Sequence, residues 1–211
     1  MTHSIRRLSL AAMLTLLIAT RAWGGVIINP LYSTVPRHVR VVGTQAGVPD
    51  RSAGQFTIIV RDLAKNARSG VKVVLDFSGV PDVVLCSDQA DADVVASCAH
   101  CVCKVTDARG QVTFTLLGSS TGVNDVPSQG PVMYANGTSF GPIAVSTFDL
   151  DGAGGVGAND LSIWLADFGS GEPHARSDYD GSDTVGATDL SEWLTVFAAG
   201  GSTQSCTTSS P

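Results

Sequence analysis

Aromatic residues, charged residues and reactive motifs are all scarce in this chain. Only 6% of its 211 residues are aromatic and 15% charged, yet 44% are hydrophobic, which is enough apolar side chain to pack a core and excludes wholesale disorder. No apolar run reaches the roughly 18 residues that a membrane-spanning helix needs, which excludes an integral membrane protein. The 23 glycines follow no period of three, which excludes collagen. There is no G-x-S-x-G elbow, no H-E-x-x-H helix and no glycine loop to cradle a phosphate, so an enzyme is not expected. His38, His100 and His174 stand singly in turn or strand contexts, and Asp62, Asp76 and Asp107 read as turn or edge residues rather than as a catalytic carboxylate pair.

The chain opens with the build of a secretory leader. Arg6 and Arg7 precede a mostly apolar stretch over residues 8–20, and the small residues Ala22 and Gly24 offer a cleavage point. Residues 1–24 are therefore expected to be a signal peptide, and the mature chain to be secreted or held at the cell surface. No cysteine near that point would take a lipid anchor.

Charge divides the remainder in two. Residues 25–146 carry nine Asp and nine Lys or Arg, which cancel, whereas residues 147–201 carry eight Asp and two Glu against the single base Arg176, a net charge of −9. Such a segment repels itself unless cations join it, and it is pushed away from phosphates, so nucleic acid is not an expected partner.

Between residues 25 and 146 the pattern is that of strands. Phe56, Ile58 and Val60 alternate with polar positions, as do Val71, Val73, Leu75 and Phe77, and then Val112, Phe114 and Leu116. Further strands are predicted over His38–Val42, 83–86, 102–106, 132–134 and 143–147, separated by turn material at 65–70, 107–110 and 135–137. Seven or eight strands without a helix predict an antiparallel sandwich. The runs VRDLAKNARSGVKVVLDFSG and TDARGQVTFTLLG, closed by IAVSTFD, resemble bacterial immunoglobulin-like modules of the invasin and intimin type over residues 54–147. That resemblance implies a spacer or adhesion unit.

Cysteine use suits an oxidising compartment. A bridge from Cys86 to Cys98 or to Cys103 would pin the intervening excursion and contribute on the order of 3 kcal/mol, with Cys101 a further candidate and Cys206 left unpaired. The sharper alternative is a metal site of Cys98, His100, Cys101 and Cys103, but four ligands within six residues lack the separated pairs that wrap zinc.

The strongest signal is a duplication. DLDGAGGVGANDLSIWLADF from Asp149 and DYDGSDTVGATDLSEWLTVF from Asp178 align at a constant offset of 29 residues. Each begins as a twelve-residue cation loop, in which oxygen ligands fall at positions 1, 3, 5, 7 and 12. The first supplies Asp149, Asp151, the Gly155 carbonyl and Asp160; the second supplies Asp178, Asp180, Ser182, the Thr184 carbonyl and Asp189. Hard oxygen donors select calcium, so two Ca2+ ions are expected, the first more weakly held because Ala153 replaces an oxygen at position 5. Asp-rich turns that cap helices without metal are the simpler reading, but three converging carboxylates repel without a cation. Behind each loop the period becomes helical: Leu161, Trp164, Leu165 and Phe168, then Leu190, Trp193, Leu194 and Phe197, form two stripes expected to pack on each other.

Residues 147–201 thus resemble a type I dockerin, a pair of F-hand repeats with Asp at position 12 followed directly by leucine. The resemblance implies a cohesin-like or cell-surface protein partner, recognised at positions 10 and 11, here Ala158, Asn159, Ala187 and Thr188. The whole is expected to be mainly β: an immunoglobulin-like antiparallel β-sandwich over 25–146, a small all-α, dockerin-like paired EF-hand domain over 147–201, and a disordered tail over 202–211. The expected function is that of a secreted, non-catalytic calcium-binding protein for attachment. Two alternatives stand beside it. One is a structural or matrix protein that calcium merely rigidifies, without a cohesin partner. The other is carbohydrate binding by the sandwich, against which the scarcity of aromatics counts.

Overall fold

Runs of β-branched residues at period two become strands because alternate side chains reach one face and pack there. The computed structural model describes residues 27–91, 93–98, 100–121 and 130–200. In chain order the strands are β1 (His38–Val42), β2 (Thr44–Gln45), β3 (Val48–Pro49), β4 (Gln55–Ile59), β5 (Lys72–Asp76), β6 (Val83–Leu85), β7 (Val95–Cys98), β8 (Cys101–Val105), β9 (Gln111–Ser120), β10 (Val132–Ala135), β11 (Thr138–Pro142) and β12 (Ala144–Thr147). The helices are α1 (Arg51–Gly54), α2 (Ala158–Ser170) and α3 (Ala187–Ala198), with a 3-10 turn at Ala175–Ser177.

Two five-stranded sheets face each other. One runs β12-β1-β9-β4 with β6 also on β9; the other runs β11-β10-β5-β8-β7. Val41, Ile58, Val73, Leu75, Phe114, Leu116 and Met133 are fully buried between them. The hairpin from β10 to β11 turns on Asn136 and Gly137, both at positive φ, the conformation a two-residue hairpin loop requires. Strands β7 and β11 and the short helix α1 were not legible in the sequence, because β7 lies in the acidic excursion and β11 contains Gly141 and Pro142.

The fold differs from the sequence expectation in two respects. The first sheet is not purely antiparallel, as the strand pattern led one to expect, and an immunoglobulin-like fold is not confirmed: β1 pairs in parallel with both β12 and β9. Its neighbours arrive from far along the chain, so no hairpin imposes the antiparallel sense. Nor is there a small all-α domain after the sandwich. Phe148, Leu150, Trp164, Tyr179, Trp193 and Val196 form one core with Val42 of β1 and Leu117 of β9, on the outer face of the first sheet. Two short helices bury too little apolar area alone, and the sheet supplies the rest. The helical stripes accordingly do not close on each other: Trp164 and Trp193 are buried, whereas Leu165, Phe168, Leu194 and Phe197 are 44–52% exposed.

Of the cysteine candidates, Cys86 and Cys101 take part in disulfides and Cys103 does not: it is a buried free thiol, so the Cys86–Cys103 bridge does not form. Along β8, Cys103 stands opposite Val74 and Val95. With Cys101 oxidised, the alternative metal site loses a ligand. The side chain of Cys98, residue Cys206, the leader over 1–24 and the tail over 202–211 lie outside the described residues. No helix among the described residues is long and apolar enough to cross a membrane.

Candidate metal centre

Each loop folds around the carboxylate at its twelfth position. Asp160 sits in the first turn of α2, where its Oδ2 accepts from the Gly157 amide at 2.6 Å, while its Oδ1 accepts from the amides of Leu150 at 2.6 Å and Asp151 at 3.0 Å. Asp189 repeats this at the start of α3, accepting from Gly186 at 2.8 Å, Tyr179 at 2.6 Å and Asp180 at 3.0 Å. An acid in the third helical position that reaches back to the cap amide closes the helix start and favours the positive end of its dipole. The same carboxylate holds the loop's first residues, so helix and loop form one unit.

At the other end, Asp149 Oδ1 accepts from the Gly152 amide at 2.7 Å, and Asp178 Oδ1 accepts from Gly181 at 2.9 Å and Ser182 at 3.0 Å. These bonds fold the loops so that carboxylate oxygens of Asp149, Asp151 and Asp160 lie within 4.8 Å of one another, and those of Asp178, Asp180 and Asp189 likewise. Six of the nine predicted ligands are thereby brought together, three in each loop. Of the others, Ser182 Oγ donates to the Thr184 carbonyl at 3.2 Å, the two groups expected at positions 5 and 7. A cation between them would replace that bond. Gly155 is buried at positive φ in the first loop.

The electrostatics fit a cation. Burial, then the charge of Asp160, pushes the carboxyl of Asp149 up to about 6, against the pull of the Gly152 amide. Burial likewise raises Asp160 and Asp178. Clustered, desolvated carboxylates resist ionising, and a bound divalent ion reverses that by supplying the missing positive charge. The donor set is all oxygen, which suits calcium. The residues present therefore fit the ion.

Several contacts were not legible in the sequence. The indole of Trp164 donates to the Ser177 carbonyl at 3.3 Å, and that of Trp193 to the Phe148 carbonyl at 3.3 Å. Each tryptophan thus holds the residue just before the other repeat's first aspartate. Asp167, read only as part of the acidic surplus, is buried and accepts from Arg176 at 2.7 and 2.8 Å and from Ser177 at 2.6 Å, which fixes the connector. Both loops are also tied to the sandwich. The Ser120 amide donates to the Asp149 carbonyl at 2.8 Å, Tyr179 Oη donates to the Thr147 carbonyl at 3.0 Å, and Arg40 Nε donates to the Tyr179 carbonyl at 2.7 Å. Arg40 also pairs with Glu192 of α3. Gly152 and Gly181 permit the close approach: both have positive φ, and a Cβ would meet the Ser120 carbonyl oxygen at 2.5 Å or His38 at 3.0 Å.

The four residues expected to meet a partner, Ala158, Asn159, Ala187 and Thr188, are all exposed at the starts of α2 and α3. Beyond them the exposed Phe168 stacks on Trp164 at 5.4 Å, and Phe197 on Trp193 at 5.2 Å. No protein-family model, curated protein or solved structure matches this chain.

Proposed function

We propose that the chain is an exported, non-catalytic protein that binds two calcium ions, one in each repeated loop, and attaches to a partner protein through the surface the two helices present. The observation that carries the calcium reading is the duplication of three convergent carboxylates in loops with the same hydrogen bonds. The leader pattern at residues 6–24 supports export. Attachment is supported by the exposure, in both repeats, of large apolar side chains in the second halves of α2 and α3, since exposed apolar surface marks interaction sites. The dockerin resemblance points to a cohesin-like partner.

The experiment is a native mass spectrum of the mature chain in calcium, followed by surface plasmon resonance over a panel of cohesin modules with calcium and with chelator. Two bound ions and calcium-dependent capture, abolished by Leu165→Asp with Leu194→Asp, are expected. No bound ion overturns the calcium reading. Two bound ions without capture favour the structural reading, in which calcium stiffens the outer face of the sandwich; the ties from Ser120, Thr147 and Arg40 to the loops give that reading its own support.

A further inference from the structure

A cleft of about 460 Å³ opens between the first sheet and the second loop. It falls within the roughly 300–1,000 Å³ typical of small-molecule sites. It is lined by Arg37 and His38 of the β1 region, by Ser52 and Gln55, and by Asp180 and Gly181 of the loop.

Most polar groups around it are already engaged. Arg40 at its back is held by the carbonyls of Tyr179 and Ala53 and by Glu192. His38 Nε2 lies 2.8 Å from Ser146 Oγ, and Ser52 Oγ donates to Asp50 at 2.5 Å. Two side chains differ. The guanidinium of Arg37 and the amide of Gln55 are exposed and make no side-chain hydrogen bond or ion pair with the described residues. Asp180 of the second loop also lines the cleft, with its Oδ1 accepting from the Ser182 amide. A guanidinium takes a carboxylate through two parallel bonds, while an amide takes hydroxyl groups.

We propose that this cleft binds a small hydroxylated carboxylate, of the uronic acid class, with Arg37 on its carboxylate and Gln55 on its hydroxyls. The proposal rests on the calcium reading in one respect. Asp178, Asp180 and Asp189 repel an anion until a cation in the second loop offsets their charge, so calcium strengthens binding.

The test uses the mature chain. Calcium occupancy is counted first by native mass spectrometry, and sodium glucuronate is then titrated by calorimetry and by NMR, with glucose as the neutral control. Glucuronate should bind in calcium with shifts at Gly181 and Arg37, and at least about tenfold more weakly in chelator, in Arg37→Ala and for glucose. Arg109→Ala, outside the cleft, should leave binding unchanged. Absence of glucuronate binding while two ions are bound overturns the cleft and spares the calcium reading, as does equal binding by Arg37→Ala or of glucose. A metal count of zero overturns the calcium reading alone; glucuronate binding that still depends on Arg37 in that protein upholds the cleft.

Discussion

At the residue scale the aspartates carry opposite consequences with and without an ion. In metal-free protein Asp149 titrates near 6 rather than at its ordinary 3.8, because it is buried beside Asp151 and Asp160. The folded state therefore holds that proton more tightly than the unfolded chain, and stability is lost as pH rises from about 4 to about 6. The effect is on the order of 2 kcal/mol. Melting curves in chelator across pH 4–8 should show this fall, and Asp149→Asn should flatten it. In calcium the sign reverses, since the ion must displace the proton, and affinity should rise through the same window. Asp160→Ala and Asp189→Ala should each cost one ion in the native mass spectrum, and the Asp160 variant should keep the tighter one, because its second loop retains Ser182.

At the element scale each helix serves the other repeat. Trp193 stands on α3 but its indole holds Phe148, the residue before the first loop, while Trp164 on α2 holds Ser177, the residue before the second. Trp193→Phe should therefore leave a buried carbonyl unsatisfied, at a cost of about 1–3 kcal/mol. It should weaken calcium at the first loop more than at the second, and Trp164→Phe should do the reverse. Site-resolved NMR titration distinguishes this crossed pattern from a loss confined to the mutated repeat, which would refute it. The exposed partners in the same stripes, Phe168 and Phe197, rest on these tryptophans, so the outward face depends on the same two residues.

At the scale of the whole molecule the loops and the sandwich share a core. Leu150 is fully buried, in the cluster that includes Val42 and Leu117. Leu150→Ala should cost about 2–5 kcal/mol and should lower the melting of strands and helices together, followed by circular dichroism at wavelengths that weight each. Segment 147–200 cut from the chain lacks Val42, Leu117 and the Ser120 amide, and should remain largely unfolded in calcium that saturates the intact protein. An excised segment as helical as the parent would show that the sheet contributes little.

The convergence of the loop aspartates, the turn that changes period from two to 3.6, and most strand positions were legible in the chain, because each depends on contacts within a dozen residues. Loop chemistry is local: Asp160 bonds to Leu150 and Asp151, and the alternation of Val71, Val73 and Leu75 is set by the pleat. What depended on distant residues was not legible. The parallel pairing of β1 with β9 and β12 and the burial of Trp164 and Trp193 against a sheet rather than against the facing stripe follow from which surfaces meet between segments far apart in the chain. Periodicity states that a face is apolar, but it does not name the partner. That choice fell to tertiary packing, since two short helices could bury their tryptophans only by borrowing Val42 and Leu117 from the sandwich.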